Sequence, residues 1–195
     1  LYDAKKYAEA TTLLKGVDDD RNEYAEARYW LGRLAYDQKE YDDAADYFEE
    51  ATEANPKSPE YFTWLGDTYG TIAQNANMVK QGMLAPKMKK AWEQAVALDP
   101  KAINPRLSLI QYYLQAPGVM GGSTEKAMEM ANQIKKIKPA EGHRQLGNIY
   151  YREKKYAEAE KEFQAMVKAD ASYQSGLANF YANQKQYDKA FALFD

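Results

Sequence analysis

The amino-acid sequence repeats itself at a fixed interval, and no other feature constrains the fold as strongly. The interval from Gly32 to Gly66 is the same as the interval from Ala10 to Ala44. The stretch LGRLAYDQKEYDDAADYFEEATEANP, which begins at Leu31, returns near the end of the chain as LGNIYYREKKYAEAEKEFQAMVKAD. Since a period of about 20–50 residues is typical of arrays whose units stack on their neighbours, the sequence predicts a repeat protein.

Each repeat has the spacing of a helix pair. Side chains four, three and four residues apart lie on one face of a helix, and the third repeat has them at Tyr61, Leu65, Thr68 and Ile72. Proline removes a backbone donor and clashes with the preceding turn. The second helix of a pair is therefore predicted to end before Pro56, Pro100 and Pro139.

Glycine recurs inside the predicted first helices, at Gly32, Gly66 and Gly147. Because glycine inside a helix costs about 1 kcal/mol relative to alanine, we expect a partner helix to come too close there for a side chain. Ala44 and Ala159 are expected to make the same contact from the second helix.

This arrangement resembles the tetratricopeptide repeat (TPR) family, whose pattern is W-x2-L-G-x2-Y, then A-x3-F, then P. The fifth repeat shows it at Leu146, Gly147, Tyr150, Ala159 and Phe163. The resemblance implies an all-α fold, a right-handed superhelical TPR solenoid of antiparallel helix pairs. It predicts one domain over residues 1–195, with units at 1–24 (partial), 25–58, 59–102 (with an insertion), 103–139 (with a Gly-rich loop), 140–170 and 171–195 (partial).

The third repeat contains an insertion, because the span from Gly70 to Met88 is longer than the equivalent span from Tyr36 to Ala44. The helical stripe continues through Ile72, Ala76, Val79 and Met83, which predicts a first helix that runs past its neighbours. Pro86 is then expected in the first turn of the next helix. The extension either packs on its own repeat or forms an arm, residues 71–86, that offers Met78, Val79 and Met83 to a partner.

The fourth repeat contains a Gly-rich loop within YYLQAPGVMGGSTEKA, residues 112–127. A phosphate loop needs G-x4-G-K-[ST] after a strand, whereas here Ser123 follows the glycines directly and Lys126 comes too late. We interpret the segment as a turn in which Pro117 ends one helix and Ser123 or Thr124 caps the next, with Glu125 at its positive end. A set of bacterial TPR proteins has a similar APGxxGG loop, so the chain resembles a bacterial type.

Composition excludes several classes of function. The chain has no cysteine and one histidine, His143, too few for an ordinary zinc site. We expect His143 to be a buried or half-buried structural residue, and we predict no catalytic residue, metal or cofactor, hence no enzyme. No apolar run approaches the roughly 18 residues of a membrane span, and the acidic net charge of -3 argues against nucleic acid.

Charge is unevenly distributed. Residues 1–79 carry 17 acidic and 8 basic side chains, a net of -9, while residues 80–140 carry 4 and 10, a net of +6. Either these charges form an ordinary solvated surface, or the basic segment attracts an acidic partner or the acidic part of a second copy.

The resemblance also implies a concave groove lined by the first helices. Groove positions lie two before the Leu, one after the Gly, and one or two after the Tyr. In this chain they hold Tyr29, Arg33, Tyr36, Thr63, Asp67, Leu107, Gln111, Leu114, Arg144, Asn148, Tyr151, Arg152, Asn179 and Asn183. The side-chain amides of Asn148 and Asn179 are placed to bond the backbone of an extended peptide.

These observations predict a non-catalytic interaction scaffold that binds a peptide or partner protein through the groove and the arm. Two alternatives stay open: a self-assembling structural TPR protein, and an accessory subunit of an envelope-assembly or enzyme complex. The bacterial cytoplasm and periplasm both fit. The lack of cysteine agrees with an exported form, whose signal peptide would lie upstream of Leu1.

Overall fold

The computed structural model describes residues 6–194, which form eleven α-helices, two 3-10 helices and no strand. The helices are α1 Tyr7–Lys15, α2 Tyr24–Asp37, α3 Tyr41–Ala54, α4 Pro59–Gln74, α5 Met78–Leu98, α6 Asn104–Gln115, α7 Thr124–Ile137, α8 Pro139–Arg152, α9 Tyr156–Ala169, α10 Gln174–Asn183 and α11 Tyr187–Phe191. The 3-10 helices are Gly118–Met120 and Ala171–Tyr173. The all-α class predicted from the sequence is confirmed.

The chain divides into two compact units between Ser108 and Leu109, here called unit 1 and unit 2 in chain order. In unit 1 the most extensive packing joins α2 with α3 and α4 with α5, and in unit 2 it joins α8 with α9. Because each of these helices follows its partner after a short connection, the partners are antiparallel.

The glycines of the first helices lie against aromatic rings of the second helices. A Cβ added at Gly32 would lie 2.7 Å from Phe48, and one added at Gly66 would lie 2.5 Å from Trp92. In unit 2, a Cβ at Gly147 would lie 2.9 Å from Phe163. The second helix does exclude a side chain at these glycines, as predicted, but the nearest atoms belong to an aromatic ring and not to Ala44 or Ala159.

The same turn joins the two helices in three of the repeats. Lys39, Lys154 and Lys185 occupy the left-handed region, with φ between 58° and 67°. The residue after each lysine donates its backbone N–H to the carbonyl five positions earlier, as Glu40 does to Ala35 at 2.9 Å. This bond satisfies a carbonyl that the end of the first helix leaves without a partner.

The insertion in the third repeat is organised differently from the prediction. We expected the first helix to continue through Val79 and Met83, and this is wrong, because α4 ends at Gln74 and a new helix, α5, begins at Met78. The Asn77 side chain starts that helix by accepting a hydrogen bond from the Lys80 N–H at 2.9 Å. The prediction for Pro86 is also wrong, since it lies inside α5 and not in its first turn.

Replacing Asn77 with alanine is expected to lower the free energy of unfolding by about 1 kcal/mol, because the first turn of α5 loses its capping acceptor. Asn77→Asp is the matched control, since aspartate caps as well as asparagine. Urea denaturation followed by circular dichroism measures both. Equal stability of Asn77→Ala and the wild-type protein would show that the cap is unimportant.

The Gly-rich loop folds back on α6. Ser123 caps α7 as predicted, since its hydroxyl accepts the Lys126 N–H at 3.2 Å. Gly121 has φ of +91°, and a Cβ at Gly122 would overlap the Ala116 carbonyl oxygen. Both glycines are therefore required by the path of the turn.

Charged side chains link the second helices of neighbouring repeats in unit 1. Lys80 of α5 pairs with Asp42 of α3 at 3.0 Å, and Lys87 pairs with Glu49 at 3.1 Å. Some acidic side chains of residues 1–79 therefore form ion pairs with basic side chains of residues 80–140 inside unit 1. No helix between residues 6 and 194 combines the length and apolar character that crossing a membrane requires.

Candidate functional site

Unit 2 contains a cavity of about 590 Å³ between α8 and α10. Five of the predicted groove residues lie in its wall: Arg144, Asn148 and Tyr151 from α8, and Asn179 and Asn183 from α10. The volume falls within the range of about 300–1,000 Å³ that is usual for ligand sites. The alignment of the repeats was therefore sufficient to select five residues that lie around one cavity.

Seven further residues that line the cavity were not predicted from the sequence. They are Ser172, Tyr173, Ser175, Gly176, Phe163, Met166 and Phe180. The first four come from the start of the sixth repeat, where Ser172 and Ser175 take the places of the larger Glu141 and Arg144, although Tyr173 takes that of Gly142. When Leu146 and Leu177 are aligned, Gly176 takes the place of Gln145, and this loss of bulk is a signal that the sequence already contained.

Three asparagine side chains on the cavity wall are free to bind. Asn148, Asn179 and Asn183 are exposed, and within residues 6–194 their side-chain amides have no hydrogen-bond partner. A carboxamide offers two donors and one acceptor oxygen, which matches the N–H and C=O groups of an extended peptide. The wall can therefore hold a backbone without recognising a particular side chain.

A buried carboxylate fixes two other lining residues. Glu141, 5% exposed, accepts hydrogen bonds from Arg144 Nη2 at 2.7 Å, from Gln145 Nε2 at 2.7 Å and from the Tyr173 hydroxyl at 3.4 Å. Burial alone would raise the pKa of Glu141, but these hydrogen bonds outweigh burial and hold the pKa below its usual value of 4.5. Glu141 thus orients Arg144 and Tyr173 from beneath the cavity.

Glu141 is expected to make the stability of the protein depend on pH. Because its folded-state pKa is lowered, its contribution is present above about pH 4.5 and is lost as the pH falls through the folded-state pKa. The free energy of unfolding of Glu141→Gln should therefore differ most from that of the wild-type protein near neutral pH. The difference should shrink as the pH falls through the lowered folded-state pKa of Glu141, because the wild-type carboxyl then becomes protonated. A difference independent of pH would contradict this role.

The other predicted groove residues of unit 2 lie outside the cavity. Arg152 donates from Nη2 to the Leu114 carbonyl oxygen at 2.7 Å. Leu114 is half-buried and Gln111 is exposed. Arg152 therefore ties the end of α8 to the end of α6.

In unit 1 the predicted residues of α2 bond within the protein. The Tyr29 hydroxyl donates to Glu60 Oε1 at 2.6 Å and accepts from Arg33 Nη1 at 2.8 Å. Burial and the Glu60 hydrogen bond raise the pKa of Tyr29 to about 12. The Arg33 guanidinium lies 4.1 Å from the centre of the Trp64 ring, and Tyr36 shares a hydrogen bond of 2.9 Å with Thr71.

The predicted residues of α4 are similarly engaged. Asp67 Oδ1 accepts from Trp92 Nε1 at 2.8 Å and from the Ser108 hydroxyl at 3.0 Å, and burial raises its pKa. Thr63 donates to the Pro59 carbonyl oxygen at 2.8 Å, and Leu107 is half-buried. Asp67 therefore connects α4 with α5 and α6, whereas the Thr63 hydroxyl bonds within α4.

The arm residues are the most exposed apolar side chains of α5. Met78, Val79 and Met83 are 80%, 73% and 69% exposed. The three side chains project from the amino-terminal part of α5, ahead of Pro86, so this surface is available to another molecule.

His143 is half-buried, as predicted, with Nδ1 2.6 Å from Glu162 Oε2 on α9. It joins the two helices of the fifth repeat. Among residues 6–194, no three His, Cys, Asp or Glu side chains form a group that could hold a metal ion.

Comparison with known proteins agrees with this architecture. Two family models, both described as tetratricopeptide repeat, match residues 1–65 and residues 140–173. No curated protein sequence matches the chain significantly.

Several solved structures share the fold at low sequence identity. TTC0263, a thermophilic TPR protein in Thermus thermophilus, has a TM-score of 0.58 and 22% identity over 87% of this chain and 88% of its own. MamA has a TM-score of 0.66 and 20% identity over 85% and 87%. YrrB, a TPR protein with an unusual peptide-binding site, has a TM-score of 0.58 and 17% identity over 97% and 89%. The chain therefore contains tetratricopeptide repeats, arranged as antiparallel helix pairs in an all-α fold.

Proposed function

We propose that this protein is a non-catalytic interaction scaffold that binds an extended peptide, or an extended segment of a partner protein, in the cavity of unit 2. The observation that carries the proposal is the set of three exposed amides, Asn148, Asn179 and Asn183, on facing walls of one cavity. Since each amide can both donate and accept, the set suits a peptide backbone better than a charged metabolite.

Two further observations support a peptide as the ligand. Arg144 is the ionised side chain among the described residues of the cavity wall, and it forms an ion pair with Glu141 at 2.7 Å. Because this pair neutralises the positive charge, the cavity attracts a strongly anionic ligand only weakly. In addition, one protein of the same fold, YrrB, is described by its peptide-binding site. The bacterial type, with its extended third repeat and Gly-rich loop, is part of the same proposal.

A displayed library of random dodecapeptides tests this function. Peptides selected on the wild-type protein should lose binding to the Asn148→Ala and Asn179→Ala variants by about 10-fold or more each, as expected when about 1.4 kcal/mol of hydrogen bonding is lost. Asn132→Ala is the matched control, because Asn132 is exposed on α7 and bonds its own helix at Met128. Selected peptides that bind both cavity variants as tightly as the control would refute the proposal.

The arm is a second contact surface in this proposal, favoured by the exposure of its three apolar side chains. Methionine adapts to varied apolar partners because its side chain is flexible and polarizable. Met78→Ser combined with Met83→Ser should weaken capture of a folded partner and leave binding of the selected dodecapeptides unchanged. Light scattering of the wild-type protein and of the double variant is the control for self-association. Self-association through these methionines would assign the arm to contacts between copies.

A further inference from the structure

We propose that Glu141 determines the charge of the peptides that the cavity of unit 2 accepts. Its carboxylate neutralises Arg144, so that Arg144 donates to peptide carbonyl oxygens without favouring acidic peptides over neutral ones. The proposal rests on the proposed function, since it states which peptides that site admits. Glu141 acts through Arg144 and does not line the cavity itself, so it is a positioning residue.

Arg144 is held at the cavity wall by two hydrogen bonds to one oxygen atom of Glu141. Arg144 Nε lies 3.1 Å and Nη2 lies 2.7 Å from Glu141 Oε1. Gln145 Nε2 donates to the same oxygen at 2.7 Å, and the Tyr173 hydroxyl donates to Oε2 at 3.4 Å. Because both oxygen atoms have donors, the carboxylate is fixed beside the guanidinium.

The two charges of this pair differ in their exposure. The Glu141 side chain is 7% exposed, whereas that of Arg144 is 45% exposed and lines the cavity. The negative charge therefore lies inside the protein, where salt screens it less, and the positive charge faces the ligand. A ligand carboxylate would be attracted by Arg144 and repelled by Glu141 at the same time, and it would lose water on entering.

Arg144 still has N–H groups to offer to a ligand. A guanidinium carries five N–H donors, and Glu141 accepts from two of them. Within residues 6–194, Nη1 of Arg144 has no hydrogen-bond partner. It can donate to a peptide carbonyl oxygen, which has no net charge, beside the amides of Asn148 and Asn179. The pair thus adds a backbone contact without adding a preference for acidic side chains.

The neutralised cation is specific to the fifth repeat. Glu26 and Glu60 occupy the same repeat position as Glu141, five residues before the leucine of Leu-Gly. Both are exposed, and the residue three positions later, Tyr29 or Thr63, is not a cation. A glutamate is therefore common to three repeats, while its burial beneath a cation that lines a cavity distinguishes the fifth.

Parallel selections from the dodecapeptide library at neutral pH test the role of Glu141. Peptides selected on the wild-type protein should be enriched in neither acidic nor basic residues. Peptides selected on Glu141→Gln should be enriched in Asp and Glu, because Arg144 then lacks its counter-charge. Peptides selected on Arg144→Gln should be enriched in Lys and Arg, because the charge of Glu141 is then unmatched.

One acidic peptide selected on Glu141→Gln is then compared with its counterpart in which each Asp and Glu is replaced by Asn and Gln. On Glu141→Gln the acidic form should bind about 10-fold or more tightly than the amide form, and on the wild-type protein the two should differ by about 2-fold or less. The gain should shrink as the salt concentration rises, because the charge of Arg144 is partly exposed.

Glu160→Gln is the matched control. It removes the same charge from unit 2, but Glu160 pairs with Lys189 at 3.1 Å and does not line the cavity. Its selected peptides should match those of the wild-type protein. The double variant Glu141→Gln with Arg144→Gln should return to the wild-type balance. Circular dichroism confirms the fold of each variant, and Arg144→Gln, at a partly exposed position, provides the test if Glu141→Gln does not fold.

Equal acidic content in the peptides selected on the wild-type protein and on Glu141→Gln would overturn this inference, as would peptides selected on Arg144→Gln without basic enrichment. Wild-type peptides already rich in Asp and Glu would also overturn it, because Arg144 would then act as an unpaired cation. In each case, peptides that depend on Asn148 and Asn179 would leave the proposed function intact. Peptides that ignore both asparagines would overturn the proposed function and this inference with it.

Discussion

Phe48→Ala is expected to lower the free energy of unfolding by about 3–5 kcal/mol, the largest single effect we predict. The Phe48 side chain is fully buried in unit 1. Its ring lies against Gly32 and is stacked at 5.9 Å on the Trp64 ring. Because α2, α3 and α4 all contribute to this site, the neighbouring helices cannot close the cavity that alanine would leave.

Urea denaturation measures this loss directly. Phe191→Ala is the matched control, since Phe191 is 69% exposed on α11 and its truncation leaves no buried cavity. Phe191→Ala should change the free energy of unfolding by no more than about 0.5 kcal/mol. A loss below about 1 kcal/mol for Phe48→Ala would mean that the ring does not hold the helix pair together.

Gly66→Ala is expected to destabilise the protein by about 1–3 kcal/mol, although alanine favours a helix more than glycine does. The new methyl group would lie 2.5 Å from Trp92 Nε1. The indole cannot move aside easily, because it is buried and donates a hydrogen bond to Asp67 at 2.8 Å. The overpacking therefore exceeds the gain in helix propensity.

Gly70→Ala is the matched control for this substitution, one turn further along the same helix. A Cβ at Gly70 would lie 3.6 Å from Trp92, an ordinary van der Waals distance. We therefore expect Gly70→Ala to be neutral or to stabilise the protein by up to about 1 kcal/mol. If both variants had the same stability, the close contact at Gly66 would not be the reason for its glycine.

The helix pairs were predictable because their cause is local and repeated. A glycine inside a helix implies a neighbour, and Gly32, Gly66 and Gly147 each have an aromatic ring in that place. The period could not reveal the break between α4 and α5. The apolar stripe runs across it, whereas the Asn77 cap that starts α5 depends on one side-chain hydrogen bond. Periodicity reports the face of a helix and says nothing about where it stops.

The groove positions were predictable only by register, and register does not say what else touches a side chain. Tyr29 and Asp67 occupy groove positions, yet Glu60 and Trp92 bind them from other helices. Asn148 and Asn179 occupy equivalent positions without such partners among the described residues. Only the contacts between helices separate residues that stabilise the fold from those that are available to a ligand.

The most direct test of peptide binding in unit 2 is to observe the side-chain NH2 resonances of Asn148, Asn179 and Asn183 while a selected dodecapeptide is added. We expect all three resonances to shift with one affinity, while that of Asn132, which bonds within α7, stays unchanged. Unchanged resonances at Asn148 and Asn179 in the presence of saturating peptide would show that the peptide binds elsewhere.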